Sequence, residues 1–144
     1  MENPAEDRIH NAKVGFMIAI SIFLLFATWD VVSLILYGME SWASIVNAAI
    51  LIALVIYSAS VMKTRTPSVA RSYASVMTCL FGLEVCCTLF AVVVIFAAQD
   101  EYETDIPTGY IIGAALGALV CVGGACALAA YSGKSLERAL LSID

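Results

Sequence analysis

Two carboxylate side chains, Asp30 and Glu84, lie inside long apolar stretches of the sequence. A charge at membrane depth is costly, so such residues usually face a bundle interior or a water-filled cavity and often serve ion or proton movement. No Lys or Arg lies in any of these stretches to neutralise them. Four states are therefore open for each carboxyl: protonated, hydrogen-bonded to polar neighbours, hydrated in a cavity, or paired with a cation from another subunit.

Asp30 has a predicted polar partner in the next apolar stretch. At ~1.5 Å per residue, Asp30 lies roughly 9 Å and Asn47 about 6 Å below the outer membrane boundary, and we expect a hydrogen bond between them. Ser33 and Tyr37 extend the same helix face by one and two turns. This polar strip has two interpretations: it joins helices, or it forms the outer mouth of an ion path.

Glu84 falls roughly 14 Å from the inner boundary, close to the bilayer centre. Thr88 lies one helical turn further on, and Gly123 and Gly124 of the last apolar stretch are expected at a similar depth. One interpretation is a cation or proton site. The other is a hydrogen bond between helices or a contact used in assembly.

A face of small residues is predicted on the last apolar stretch. Gly113 and Gly117 form a GxxxG motif, which Cys121 and Gly124 continue along one side of the helix. Small residues let two helix backbones approach closely in a membrane. We expect a helix-packing face, and a neighbouring helix of the same chain is favoured over a second protein.

The stretches that carry these residues predict an all-α membrane protein. Of the 144 residues, 62% are hydrophobic and 13% charged, which is too apolar for a soluble domain of this size. Four continuous apolar runs approach the ~20 residues that cross a bilayer as a helix. The predicted four-transmembrane-helix bundle has short loops and spans Val14–Leu36, Ala43–Met62, Ser75–Ala98 and Tyr110–Tyr131.

The chain reads as one domain with two short polar ends. Residues 1–13 form a polar segment, residues 14–131 the transmembrane domain, and residues 132–144 a short tail. Ser132 and Gly133 are expected to end the fourth helix, and Ser135 to begin a short amphipathic one. The first apolar run is longer than a signal-peptide core, so no cleaved signal is expected.

Charge predicts the orientation of the helices. All seven basic residues lie on one side, and the connections on the other side carry acidic residues alone, within a net charge of −5. By the positive-inside rule, we expect both termini on the cytoplasmic, or topologically equivalent, side. Tyr73 and Tyr131 are expected in the aromatic belt of that side. The plasma membrane and an organellar membrane are both compatible.

Several classes of function are not indicated by the sequence. The five cysteines lie in apolar runs and none in an outer loop, unlike in tetraspanins and claudins; they are Cys79, Cys86, Cys87, Cys121 and Cys126. We find no spacing for a metal site, no cofactor motif, no catalytic constellation and no nucleic-acid patch. Four helices with short loops and cytoplasmic ends resemble the general plan of MARVEL-type tetraspans, although no residue motif carries this likeness.

Two functions follow from topology and the intramembrane polar residues. The leading hypothesis is a non-enzymatic protein that packs laterally, as an accessory subunit of a membrane complex or a membrane-organising scaffold. Its expected partners are membrane lipids and other membrane-protein subunits or copies of itself. The alternative is a small oligomeric cation or proton channel or transporter that uses Asp30 and Glu84.

Overall fold

Four helical segments dominate the structure, a computed structural model that describes residues 4–37, 42–102 and 107–143. Within these residues, each segment is long and apolar enough to cross a membrane, which confirms the all-helical prediction. The elements are α1 (Pro4–Tyr37), α2 (Trp42–Met62), α3 (Pro67–Tyr102), α4 (Thr108–Ala118), a π-helical turn (Leu119–Gly123) and α5 (Gly124–Leu141). The cytoplasmic location of both termini stays a prediction.

Three helices are longer than expected at the end that carries the basic residues. Helices α1 and α3 begin at Pro4 and Pro67, and a first-turn proline suits a helix because its missing N–H would have no partner there. Helix α5 continues to Leu141, so the prediction that Ser132 and Gly133 end the fourth helix is wrong. Both residues are buried, and packing against neighbouring helices stabilises the helical backbone there.

The described part of the bundle divides into two ends. We call residues 5–27, 48–80 and 123–141 the basic end, since all seven Lys and Arg residues lie there. Residues 28–36, 45–47, 81–97 and 109–122 form the open end. Every buried residue of the described chain belongs to the basic end. The acidic residues Glu40, Glu103 and Asp105 lie outside the described residues.

Small residues at regular intervals explain the close packing of the basic end. Buried positions of α5 recur at alternating spacings of four and three, which is the pattern of helices that cross at a shallow angle; they are Ala125, Ala129, Ser132, Leu136 and Ala139. On α1, alanines and phenylalanines each recur every seven residues, at Ala5, Ala12 and Ala19 and at Phe16 and Phe23. Alternating small and large side chains fill the space between the helices.

Helix α5 lies between α1 and α3, and α2 packs on α1. Helices α2 and α3 meet at the basic end, where Tyr57 and Ser58 contact Tyr73. Further along, Phe81 of α3 packs against Gly123 of the π-helical turn. The last buried layer of α3 and the fourth segment is therefore at this turn, and beyond it their described side chains are half-buried or exposed.

Candidate functional site

The first predicted polar contact is present in the structure. Asn47 Nδ2 of α2 donates a hydrogen bond to Asp30 Oδ2 of α1, at 2.5 Å, which confirms the predicted pairing across the hairpin. Asp30 is half-buried and Asn47 is exposed. Among the described residues, no basic side chain forms an ion pair with Asp30. The amide therefore supplies the polar partner of this carboxyl.

Glu84 has a different environment. Both Glu84 and Thr88 are half-buried on α3. Within the described chain, the Glu84 side chain forms neither a hydrogen bond nor an ion pair. Gly123 is covered instead by Phe81, whose ring would lie 3.4 Å from a Cβ at that position. Glu84 thus lies just beyond the last closely packed layer without a partner of its own.

The structure does not bring Asp30 and Glu84 together. Asp30 of α1 is hydrogen-bonded to Asn47 of α2, whereas Glu84 belongs to α3, and α5 lies between α1 and α3. The two carboxyls are therefore separate polar positions within one chain. A path that used both would have to pass from one helix pair to the other.

The small-residue face of α4 is turned away from the rest of the described chain. A Cβ at Gly113, Gly117 or Gly124 would meet no atom within 4 Å, and Cys121 is exposed. The expectation that this face packs within the chain is therefore wrong for the described residues. The π-helical turn adds a residue to one turn of helix, so it shifts the register of α4 relative to the buried face of α5.

Close helix approach occurs instead at two other glycines. A Cβ on Gly15 of α1 would collide with Ser132 of α5. A Cβ on Gly133 would lie 2.9 Å from the Tyr73 ring and 3.3 Å from the Ala70 carbonyl oxygen. These glycines hold α5 against α1 on one side and α3 on the other. In the sequence they stand apart from any GxxxG pattern.

Tyr73 is a central residue of the core rather than part of an aromatic belt. Its side chain is 0% exposed, with ring centroids 5.3 Å from Phe16 and 5.1 Å from Tyr57. Its hydroxyl lies 2.6 Å from Ser58 Oγ. Because the Ser58 hydroxyl donates its single proton to the Leu54 carbonyl, Tyr73 is the donor. The belt prediction for Tyr73 is wrong, whereas Tyr131 is exposed.

An ion pair closes the basic end between α3 and α5. Arg71 Nε donates to Glu137 Oε1 at 2.6 Å, and the two residues lie 66 positions apart in the chain. Glu137 is largely buried, with 12% of its side chain exposed, whereas 69% of the Arg71 side chain is exposed. Nothing in the sequence singles out this pair, although Glu137 follows Leu136 on the buried face of α5.

The described residues meet neither the requirements of a metal site nor those of a disulfide bond. No group of three His, Cys, Asp or Glu side chains that could hold a metal ion occurs among them. All five cysteines are free thiols. Comparisons with protein-family models, with curated proteins and with solved structures find no match to this chain.

Proposed function

We propose that this chain is a non-enzymatic membrane protein that binds a transmembrane helix of another protein through the open end of α3 and α4. Its role is that of an accessory subunit or a membrane-organising scaffold. The observation that carries the proposal is the uncovered small-residue face, where a Cβ at Gly113 or Gly117 meets no atom within 4 Å. Such faces stabilise helix pairs in lipid because they permit close backbone contact.

Glu84 supplies a second, independent argument for a partner. Helices α3 and α4 run antiparallel, and Phe81 contacts Gly123, so Glu84 lies about one turn further out, level with the residues between Gly117 and Cys121. A half-buried carboxyl at that depth is costly unless it is paired or hydrogen-bonded. The partner that fits both features is a helix with small residues and a donor or basic side chain near its middle.

The test is affinity purification of the full chain in mild detergent. The mass of the complex and the identity of co-purifying polypeptides are compared for wild type, Gly117→Leu and Gly82→Leu. Gly82 is an equally uncovered glycine, two residues before Glu84 and therefore on the other side of α3. We expect a stoichiometric foreign subunit with wild type and Gly82→Leu, and its loss with Gly117→Leu.

Two results would contradict the proposal. One is a complex that contains this chain alone, as a monomer or a closed oligomer. The other is a foreign subunit retained equally by both leucine variants. Because Gly117 contacts nothing in the described chain, its substitution should leave the bundle folded, and an unchanged helical circular dichroism spectrum checks this.

A second candidate, oligomeric cation or proton transport, is favoured by the lack of a partner for Glu84 among the described residues. Copies of the chain would have to line the path, since Asp30 and Glu84 belong to separate helix pairs. Flux is measured in proteoliposomes with Glu84→Gln and Asp30→Asn. Loss of flux with the oligomer intact would support transport, and absence of flux in the wild type would exclude it.

A further inference from the structure

Six of the seven basic residues line two grooves at the basic end. The seventh, Arg71, is paired with Glu137. The α1–α5 groove has a volume of about 580 Å³ and contains Arg8, Lys134 and Arg138. The α2-side groove, of about 670 Å³, contains Lys13, Lys63 and Arg65. The positive-inside rule requires only that basic residues lie on one side of the membrane. Here six of them form two groups of three.

Neither groove contains a neutralising group. No Asp or Glu lines either of them, and within the described chain none of the six cations has an ion-pair partner. In the α1–α5 groove, the side chains of Asn11 and Ser135 add hydrogen-bonding groups beside the cations. Three cations with two neutral polar groups form a surface that suits a phosphate.

The α1–α5 groove also has a graded polarity along α5. Its lining begins with Leu128 and the exposed Tyr131, and one to three turns later reaches Lys134 and Arg138. The apolar lining therefore adjoins the membrane-spanning part of the helix, and the cations lie beyond it. A phospholipid has the same order, with acyl chains followed by a phosphate. A free phosphate has no apolar group that could contact Leu128 and Tyr131.

The floor of this groove is fixed by close packing. Ala12, Gly15 and Ser132 line it there, and a side chain on Gly15 would collide with the Ser132 hydroxyl. The cations of two different helices are thereby held around one space. The three cationic side chains are exposed, so the close packing fixes the spacing of their backbones, from which the side chains can reach a common ligand.

We propose that the α1–α5 groove binds one anionic phospholipid, with Arg8, Lys134 and Arg138 contacting the headgroup phosphate and the acyl chains following Leu128 and Tyr131. The α2-side groove has the same number of cations, but its apolar residues do not precede them in order: Ile9 comes before Lys13 on α1, Met62 and Leu136 lie among the cations, and Leu140 and Ile143 lie at the far end of α5. It lacks the order that a lipid requires and serves as a matched control. The proposal holds with or without a protein partner at the open end.

The experiment is native mass spectrometry of the full chain in mild detergent, titrated with phosphatidylserine or phosphatidylcholine. One variant combines Arg8→Gln, Lys134→Gln and Arg138→Gln, and the control combines Lys13→Gln, Lys63→Gln and Arg65→Gln. Basic residues near a membrane contribute enough each that the first variant should lose affinity for phosphatidylserine on the order of 100-fold. The control should lose less than about tenfold. Inorganic phosphate at millimolar concentration should not displace the lipid.

Three outcomes would overturn the proposal. Equal losses in the two triple variants would show a general effect of charge, equal binding of the two lipids would remove the anionic preference, and displacement by inorganic phosphate would identify a free anion as the ligand. Helical circular dichroism and gel-filtration elution check that each variant is folded. If a triple variant does not fold, Arg138→Gln is compared with Arg65→Gln, and only the former should lose about fivefold.

Discussion

The two ends of the bundle differ in what covers their side chains. At the basic end, Phe16, Tyr73 and Met77 are 0% exposed, and a buried hydrogen bond and an ion pair join the helices. At the open end, no described residue of 81–97 or 109–122 is buried. Lipid tails are as apolar as these side chains, so a membrane imposes little cost on such exposure. One end therefore stabilises the fold, while the other keeps surface available for neighbours.

The positions of the small residues explain why one end of the bundle is closely packed and the other is not. At the basic end, Ala12, Ala19 and Gly133 face other helices and leave room for aromatic rings. At the open end, Gly113 and Gly117 face no other part of the described chain. The same residue types thus serve packing within the molecule at one end and are free for packing between molecules at the other.

The largest expected difference between the ends comes from removing one aromatic ring from each. Tyr73→Ala should lower the free energy of unfolding by about 3–5 kcal/mol, because it empties a fully buried site. Tyr110→Ala should change it by less than about 0.5 kcal/mol, since Tyr110 is 73% exposed. Reversible unfolding in mixed detergent micelles measures both. Equal losses would show that the open end also stabilises the fold.

A smaller difference is expected from adding a methyl group to one glycine at each end. Gly133→Ala should destabilise the bundle by about 1–3 kcal/mol through overpacking, because the new Cβ meets the Tyr73 ring and the Ala70 carbonyl. Gly117→Ala should be close to neutral in the isolated chain. The same unfolding assay distinguishes them, and a neutral Gly133→Ala would contradict the close approach of α5 to α3.

Within the basic end, the ion pair between α3 and α5 is expected to contribute less than the packing. A double-mutant cycle with Arg71→Gln and Glu137→Gln should give a coupling free energy of about 1 kcal/mol or less, because the Arg71 side chain is mostly exposed. The coupling should fall as salt is raised. A coupling that salt does not change would mean that packing, rather than charge, joins the two positions.

The smallest effect is expected for the polar contact at the open end. Asn47→Ala should cost roughly 0.6 kcal/mol, the average for hydrogen bonds between membrane helices. Asp30→Asn should cost less, since an amide can still accept from Asn47. Ser60→Ala is the matched control on α2, because its hydroxyl bonds to the carbonyl of Ile56 in its own helix. A loss above about 2 kcal/mol would assign Asp30–Asn47 a larger part in stability.

The four helices and one contact between them can be predicted from the sequence. Both depend only on the length of an apolar run or on the number of residues from a short connection. The length of each apolar run determines that four helices can cross a membrane, and this is what the structure has. Counting residues from a short connection places Asp30 and Asn47 at similar depths, and their hydrogen bond is present. The cytoplasmic orientation, the partners and the role of Glu84 stay predictions.

The sequence does not predict correctly which neighbour each helix face packs against. The GxxxG pattern shows that close approach is possible, but the π-helical turn that redirects it has no signature in the sequence. Tyr73 near a boundary is compatible with an aromatic belt or a core, and only the arrival of Phe16, Ser58 and Gly133 from three other helices decides this. The alternating spacing of Ala125, Ala129 and Ser132 was a readable signal for the buried face of α5.

The central position of α5 has a consequence for biosynthesis. Helix α5 follows the other helices in the chain, yet it supplies most of the contacts that join α3 to the pair of α1 and α2. During synthesis, α1, α2 and α3 therefore emerge before most of the residues that fasten α3 to α1 and α2. Until α5 is in place, Phe16 and Tyr73 lack part of their covering, so a nascent chain that stalls before residue 124 leaves these rings partly exposed and is prone to misassembly.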